Sequence, residues 1–170
     1  MLFAVCCDRG SPGSTSTALA LAAACGLPAV VVEADPYGGD LALRCRIGGH
    51  PLPPTPTVLA LGAGRAGHRP QHEQRADAPH AQRRRHLDLR HEGAHQLNRL
   101  TRVVPGVLSA EQAATLAWPV VTTTLERQTI PVFADLGRIH AASPSMSLAC
   151  AADALIVVCR GDMASVQHML

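Results

Sequence analysis

The stretch from Leu2 to Glu33 limits this chain more than any other part of it. Leu2–Cys7 (LFAVCC) is an apolar run ended by Asp8, Arg9 and Gly10. Residues 10–15 (GSPGST) are loop chemistry, and residues 15–25 are rich in Ala and Leu with Gly26 and Pro28 closing them. That order predicts a turn followed by a helix with a glycine stop. Ala29–Glu33 (AVVVE) is β-branched and apolar at consecutive positions, so neither of its faces suits water. Strands of that kind belong to parallel sheets covered by helices on both sides. Strand, glycine loop, helix and strand within about thirty residues make one βαβ unit.

The same texture returns in the second half. Thr101–Val104 is predicted as a short strand. Ser109 opens a helix with Gln112 at the third position of a capping box, and Pro119 restarts that helix up to about Arg127. Residues 130–134 (IPVFA) form a strand reaching Asp135, residues 154–159 (ALIVVC) a very apolar one, and residues 164–170 the first turns of another helix. Alternating strands and helices predict a three-layer α/β fold with a mostly parallel sheet of about five strands, the first of them central. With 170 residues, 47% of them hydrophobic, the chain is expected to form a single domain, 1–170. Its core is expected to be aliphatic, because Phe3, Tyr37, Trp118 and Phe133 are the only aromatic residues. The helices and strands that would complete such a sheet are not all present by residue 170, so the fold is expected to be C-terminally incomplete, with an apolar edge prone to self-association.

Residues 62–98 break the pattern. They hold His68, His72, His80, His86, His91 and His95 and the run Arg83-Arg84-Arg85, with little periodic apolar content. Three readings stand side by side: an irregular or disordered insertion that contributes little to the core, a shifted reading frame of GC-rich DNA, or a site. The site would be a metal held by His91 and His95 at helical spacing, or a basic patch attracting nucleic-acid phosphates non-specifically. The formal net charge of +2 does not by itself favour nucleic acid.

Cys6, Cys7, Cys25, Cys45, Cys150 and Cys159 show no C-x-x-C spacing, which argues against a zinc ribbon or a thioredoxin-type site. They are expected to be reduced thiols in a cytoplasmic protein. Arg9, the apolar run 17–24 and Cys25 imitate a lipoprotein leader, but that run is too short for a good signal core. No stretch is long enough to span a bilayer.

The loop 8–15 (DRGSPGST) sits between a first strand and a first helix, where main-chain amides and the helix dipole make an anion site. Against the phosphate-loop pattern G-x-x-x-x-G-K-[ST] it has two departures: Asp8 stands at the first glycine and Ser14 at the lysine. The chain has no lysine at all, its fifteen basic residues being arginines. Arg9-Gly10-Ser11-Pro12-Gly13-Ser14-Thr15 resembles the deviant Walker A loop of the ParA/MinD-type ATPases, K-G-G-x-G-K-[ST]. Val31-Val32-Glu33-Ala34-Asp35-Pro36 with Gly38-Gly39-Asp40 resembles that family's second-strand motif. Residues 130–137 (IPVFADLG) are similar to its Walker B strand, and residues 151–158 (AADALIVV) to the strand that follows.

The resemblance, which covers about residues 1–61 and 101–170, implies a P-loop NTPase-like fold and ATP with Mg²⁺ as cofactors. Gly10, Ser11, Pro12, Gly13, Ser14, Thr15 and Ser16 would wrap the phosphates, Thr15 and Asp135 would hold the metal, and Asp35 would orient the attacking water. It implies an ATP-dependent switch in chromosome or plasmid partitioning or cellular positioning, working as a homodimer with a protein partner and with non-specific contact to DNA. Because Ser14 carries no charge for the β,γ-phosphates, hydrolysis is expected to be weak or absent. The alternatives are a non-hydrolysing scaffold that binds a protein partner and a basic metal- or nucleic-acid-binding module. On chemistry alone Asp35-Pro36 is also a common turn opener.

Overall fold

The computed structural model describes residues 1–7, 13–63 and 87–167. In chain order its elements are β1 (Leu2–Cys7), α1 (Ser14–Ala24), β2 (Ala29–Glu33), α2 (Leu41–Arg44), β3 (Arg46–Ile47), β4 (His50–Pro51) and α3 (Val58–Gly62). There follow β5 (His95–Gln96), β6 (Thr101–Val104), α4 (Ala110–Ala114), α5 (Trp118–Glu126), β7 (Val132–Arg138), α6 (Met146–Ala151), β8 (Ala154–Val158) and α7 (Met163–Gln167).

The main sheet has six strands in the order β5-β6-β2-β7-β1-β8. All its neighbours pair in parallel except β5, which runs antiparallel to β6. This is the expected α/β architecture with one correction. The first strand is not central: β1 is next to the edge strand β8, and β7 separates it from β2. Strand order depends on where each crossover lands, and no local pattern in β1 encodes that.

Alternation along the strands feeds two cores, one on each face. Leu2, Ala4, Val30, Val32, Val132, Ala134 and Leu136 pack with Leu61, Trp118, Val121, Leu125 and Leu148 from α3, α5 and α6. Val5, Val31, Val103 and Phe133 pack on the other face with Ala18 and Ala22 of α1 and with Leu41 of α2. Helices on both faces of the sheet give the three layers. Small alanines let α1 lie close to the strands. At the far edge, the Asp153 carboxylate accepts the Leu2 N–H at 2.7 Å and so fixes where β8 starts against β1.

The region expected to lie outside the packing reaches residue 98, and its final part is a second correction. Leu89 is fully buried and Leu87 nearly so, both in the core beside α5. Gln128, itself buried, accepts the Leu89 N–H at 2.8 Å and donates to the Leu87 carbonyl at 2.8 Å. One amide side chain thereby satisfies the main chain of a segment that has no ladder of its own. The rest of that stretch, 64–86, lies outside the described residues, Arg83-Arg84-Arg85 among them.

β8 is the exposed edge. Leu155 and Val157 are 48% and 39% exposed, and Met163 of α7 is 89% exposed. Among the described residues no helix is long and apolar enough to cross a membrane.

Candidate functional site

β1, β2 and β7 all end on one edge of the sheet, the carboxyl edge where open α/β sheets bind ligands. A cleft of about 470 Å³ opens there, walled by the start of α1, the loop after β2 and the end of β7.

The α1 wall begins at Gly13. Its φ of 99° is left-handed, a conformation that glycine takes at little cost. The Gly13 carbonyl accepts the Thr17 N–H at 2.8 Å, which sets the first turn. Gly13, Ser14, Thr15 and Ser16 all line the cleft, so the unpaired amides and positive dipole end of an eleven-residue helix face it. Gly10, Ser11 and Pro12, the remainder of the expected phosphate loop, and Arg9 lie outside the described residues.

Asp135 forms the floor. It is 1% exposed; it accepts the Gly137 N–H at 3.1 Å, and the Thr15 and Ser14 hydroxyls beside it favour its charged form. Burial pushes its pKa up; those neighbours oppose the shift and the charge of Asp40 adds to it. The two residues expected to hold a metal, Thr15 and Asp135, are therefore neighbours in one cleft. A hydroxyl beside a buried carboxylate is a hard oxygen donor set of the kind Mg²⁺ takes, with water completing the shell. The chemistry of these donors fits that ion. No cluster of three or more His, Cys, Asp or Glu side chains able to hold a metal occurs among the described residues.

Asp35 stands on the third wall. Its Oδ1 accepts the Tyr37 N–H at 2.9 Å, an Asx turn after β2. Its Oδ2 presses on Gly137, where a Cβ would lie 1.9 Å from that oxygen. Burial raises its pKa to about 6, against the Tyr37 hydrogen bond and with help from the charge of Asp135.

Glu33 was given no role by sequence reasoning, yet it organises this wall. It is 2% exposed; Oε1 accepts the Leu41 N–H at 2.9 Å and Oε2 the Gly106 N–H at 2.8 Å. A Cβ on Gly39 would sit 1.8 Å from its Cδ, so the backbone approaches the carboxylate closely. Burial raises its pKa, and the Gly106 and Leu41 amides work the other way. The signal that pointed to it was an acid closing a wholly apolar strand six residues before Gly39.

Among the described residues, two cations also line the cleft. Arg44 forms a half-exposed pair with Asp40 at 2.7 Å. Arg138 ends β7.

The histidine readings separate. Residues 91 and 95 share no helix: His91 is exposed in a turn, 4.0 Å from Asp88, and His95 begins β5. His95 is buried, with Nε2 3.0 Å from the Pro56 carbonyl, and burial lowers its pKa. The expected metal pair is therefore not formed. A second cavity, of about 490 Å³, lies where β2 and β6 begin. Arg90, His91, Arg99 and Arg102 line it, and among the described residues no carboxylate does.

No family model matches this chain, and no curated protein does. Among solved structures it is similar to a ParA family ATPase from Chlorobium tepidum TLS, with a TM-score of 0.66 and 14% sequence identity. That likeness covers 98% of this chain and 63% of the other, so this chain spans less than two thirds of its neighbour's length. At this identity the likeness establishes a P-loop NTPase-like fold.

Proposed function

We propose that the chain is a ParA-like nucleotide-binding protein whose cleft takes ATP or ADP with Mg²⁺. The observation that carries the reading is the meeting of Thr15, Ser14 and Asp135 at the N-terminus of α1, on the carboxyl edge of a parallel sheet. The amides of residues 13–16 bind phosphate oxygens without a charged side chain, and on the family pattern Gly10, Ser11 and Pro12 contribute as well. Thr15 and Asp135 hold the metal, which when bound offsets phosphate charge.

Asp35 accepts a proton from, and orients, a water molecule. A carboxylate whose pKa is raised to about 6 is a better base than an ordinary one. Hydrolysis is slow, because Ser14 places no lysine ammonium within the phosphate loop, where it would follow the developing charge. The biological role we assign is a switch in partitioning or positioning that acts as a homodimer with a protein partner. Calorimetric titration of the chain with ATP and ADP, with and without Mg²⁺, tests the reading. Magnesium-dependent binding is expected; heat changes no larger than dilution would leave the fold as a protein-binding scaffold.

The basic cavity favours one additional contact. Arg90, Arg99 and Arg102 form no ion pair with a described residue and lie together, an arrangement suited to the phosphates of a nucleic acid. Binding to duplex DNA of mixed sequence should weaken steeply with added salt. Salt-independent binding, or none, would remove this reading.

A further inference from the structure

Residues three apart on an unbroken strand point to opposite faces of the sheet. Asp135 and Arg138 are three apart on β7, yet both line the cleft. The pairing with β1 explains this. Val5 lies opposite Asp135, but Cys6 lies opposite Gly137 and Cys7 opposite Arg138, so β7 carries one extra residue at Leu136. Val5 and Cys7 are two apart and share a face, and the bulge therefore returns Arg138 to the side Asp135 occupies. Gly137, at a φ of 58°, makes the step, and its missing side chain is the space filled by Asp35.

The charges around the cleft make that placement matter. Glu33, Asp35, Asp40 and Asp135 line it, and the chain has no lysine. Arg44 is held by Asp40. Among the described residues lining the cleft, Arg138 is the cation without a carboxylate partner.

We propose that Arg138 is the phosphate-binding cation of this cleft, brought in on a β-bulge of the floor strand and replacing the charge that Ser14 lacks at the start of α1. The proposal rests on the nucleotide reading above. A guanidinium offers a planar fork of donors that can grip two oxygens of a phosphate group, and it stays charged at any working pH. It comes from β7 and not from the loop, so the sheet pairing sets the position of its main chain. Its contribution grows with the number of phosphates in the ligand and is absent for a nucleoside.

The test is calorimetric titration of the full chain with Mg²⁺ and ATP, ADP, AMP or adenosine. The proteins compared are the wild type, Arg138→Gln, Arg138→Lys, Arg9→Gln and Arg46→Gln. Arg46 is exposed on β3, outside the cleft, and controls for loss of one charge. Arg138 is exposed, so its variants should unfold at the wild-type temperature. We expect Arg138→Gln to weaken ATP roughly tenfold or more, a normal loss for a hydrogen bond to a charged group. AMP should lose less, Arg138→Lys should recover part of the affinity, and Arg46→Gln should match the wild type. A wild type that binds ATP while Arg138→Gln binds it equally well would overturn this proposal and leave the nucleotide reading intact. So would a loss seen in Arg9→Gln alone, or an equal loss in Arg46→Gln. A wild type that binds no nucleotide would remove both.

Discussion

Glu33 and Asp135 face each other across the pairing of β2 with β7, two buried carboxylates on the same side of neighbouring strands. Their hydrogen bonds divide the work. Glu33 is committed to main-chain amides at the start of α2 and in the loop after β6, whereas Asp135 lies beside the hydroxyls at the start of α1. One acid builds the site and the other is available to a ligand.

The structural share of that division can be measured. Glu33→Ala leaves the Leu41 and Gly106 amides without their partner and should cost on the order of 2–3 kcal/mol in urea unfolding. Gly39→Ala forces the same carboxylate out of place, so the double variant should be much less destabilised than the two losses added together. Additive losses would mean that the Gly39 contact and the amide bridge are independent.

Stability in the absence of divalent ions should rise as pH falls from neutral toward 5. Asp35 has a folded-state pKa of about 6 against an ordinary 3.8. The folded chain therefore holds this proton more tightly than the unfolded chain, and the stability it confers is present below 3.8 and lost as pH rises through about 6. Burial shifts Asp135 and Glu33 in the same direction. Asp35→Asn should flatten this part of the profile and stabilise the protein at pH 7.5, by on the order of 1 kcal/mol after solvent screening. Thermal unfolding across the range checks both; a wild-type profile that rises toward pH 7.5 contradicts them.

Replacing Ser14 with lysine should strengthen ATP binding more than it accelerates phosphate release. Ser14 is the first residue of α1, and its hydroxyl lies near Asp135, so the ammonium arrives beside both the phosphate site and a buried carboxylate. Attraction to phosphate at close range is worth a few kcal/mol, roughly, before desolvation is subtracted. Nothing in the substitution improves the placement of water at Asp35. Paired measurements of affinity and phosphate release decide this, and unchanged affinity would reduce residues 13–16 to a turn.

Thiol labelling should divide the cysteines by burial. Cys150 and Cys159 are exposed and should react first, whereas Cys6 is buried with its pKa raised to about 11 by desolvation and by the neighbouring Cys7 and Asp135. Only the thiolate is a good nucleophile. Mass spectrometry of the native protein after brief alkylation should find Cys6 unmodified; early labelling at Cys6 would mean that β1 opens readily.

The parts of the fold legible in the sequence were those whose cause is local. Ala29–Glu33 is apolar at successive positions because both its faces are covered, and Gly26 and Pro28 end the helix before it. The carboxylates Asp35 and Asp135 were visible because each follows an apolar run, although β7 continues through Asp135 to Arg138. What stayed hidden depends on distant partners. The bulge at Leu136 is written in the pairing of β7 with β1, and the burial of Leu87 and Leu89 requires Gln128 from the end of α5. Glu33 looked like one more strand residue until Gly106, seventy-three positions away, supplied its partner.

Asp135 and Arg138 sit on a strand enclosed between β2 and β1, with a core on each face. A strand so placed releases its amide hydrogens only when the whole sheet comes apart. The cleft therefore has two tempos. Its floor is expected to keep time with global unfolding, and the first turn of α1 and the loop after β2 to open on a faster clock. A ligand that settles there will be recorded by exchange at the fast walls, and the slow floor will register it only as added stability of the entire chain.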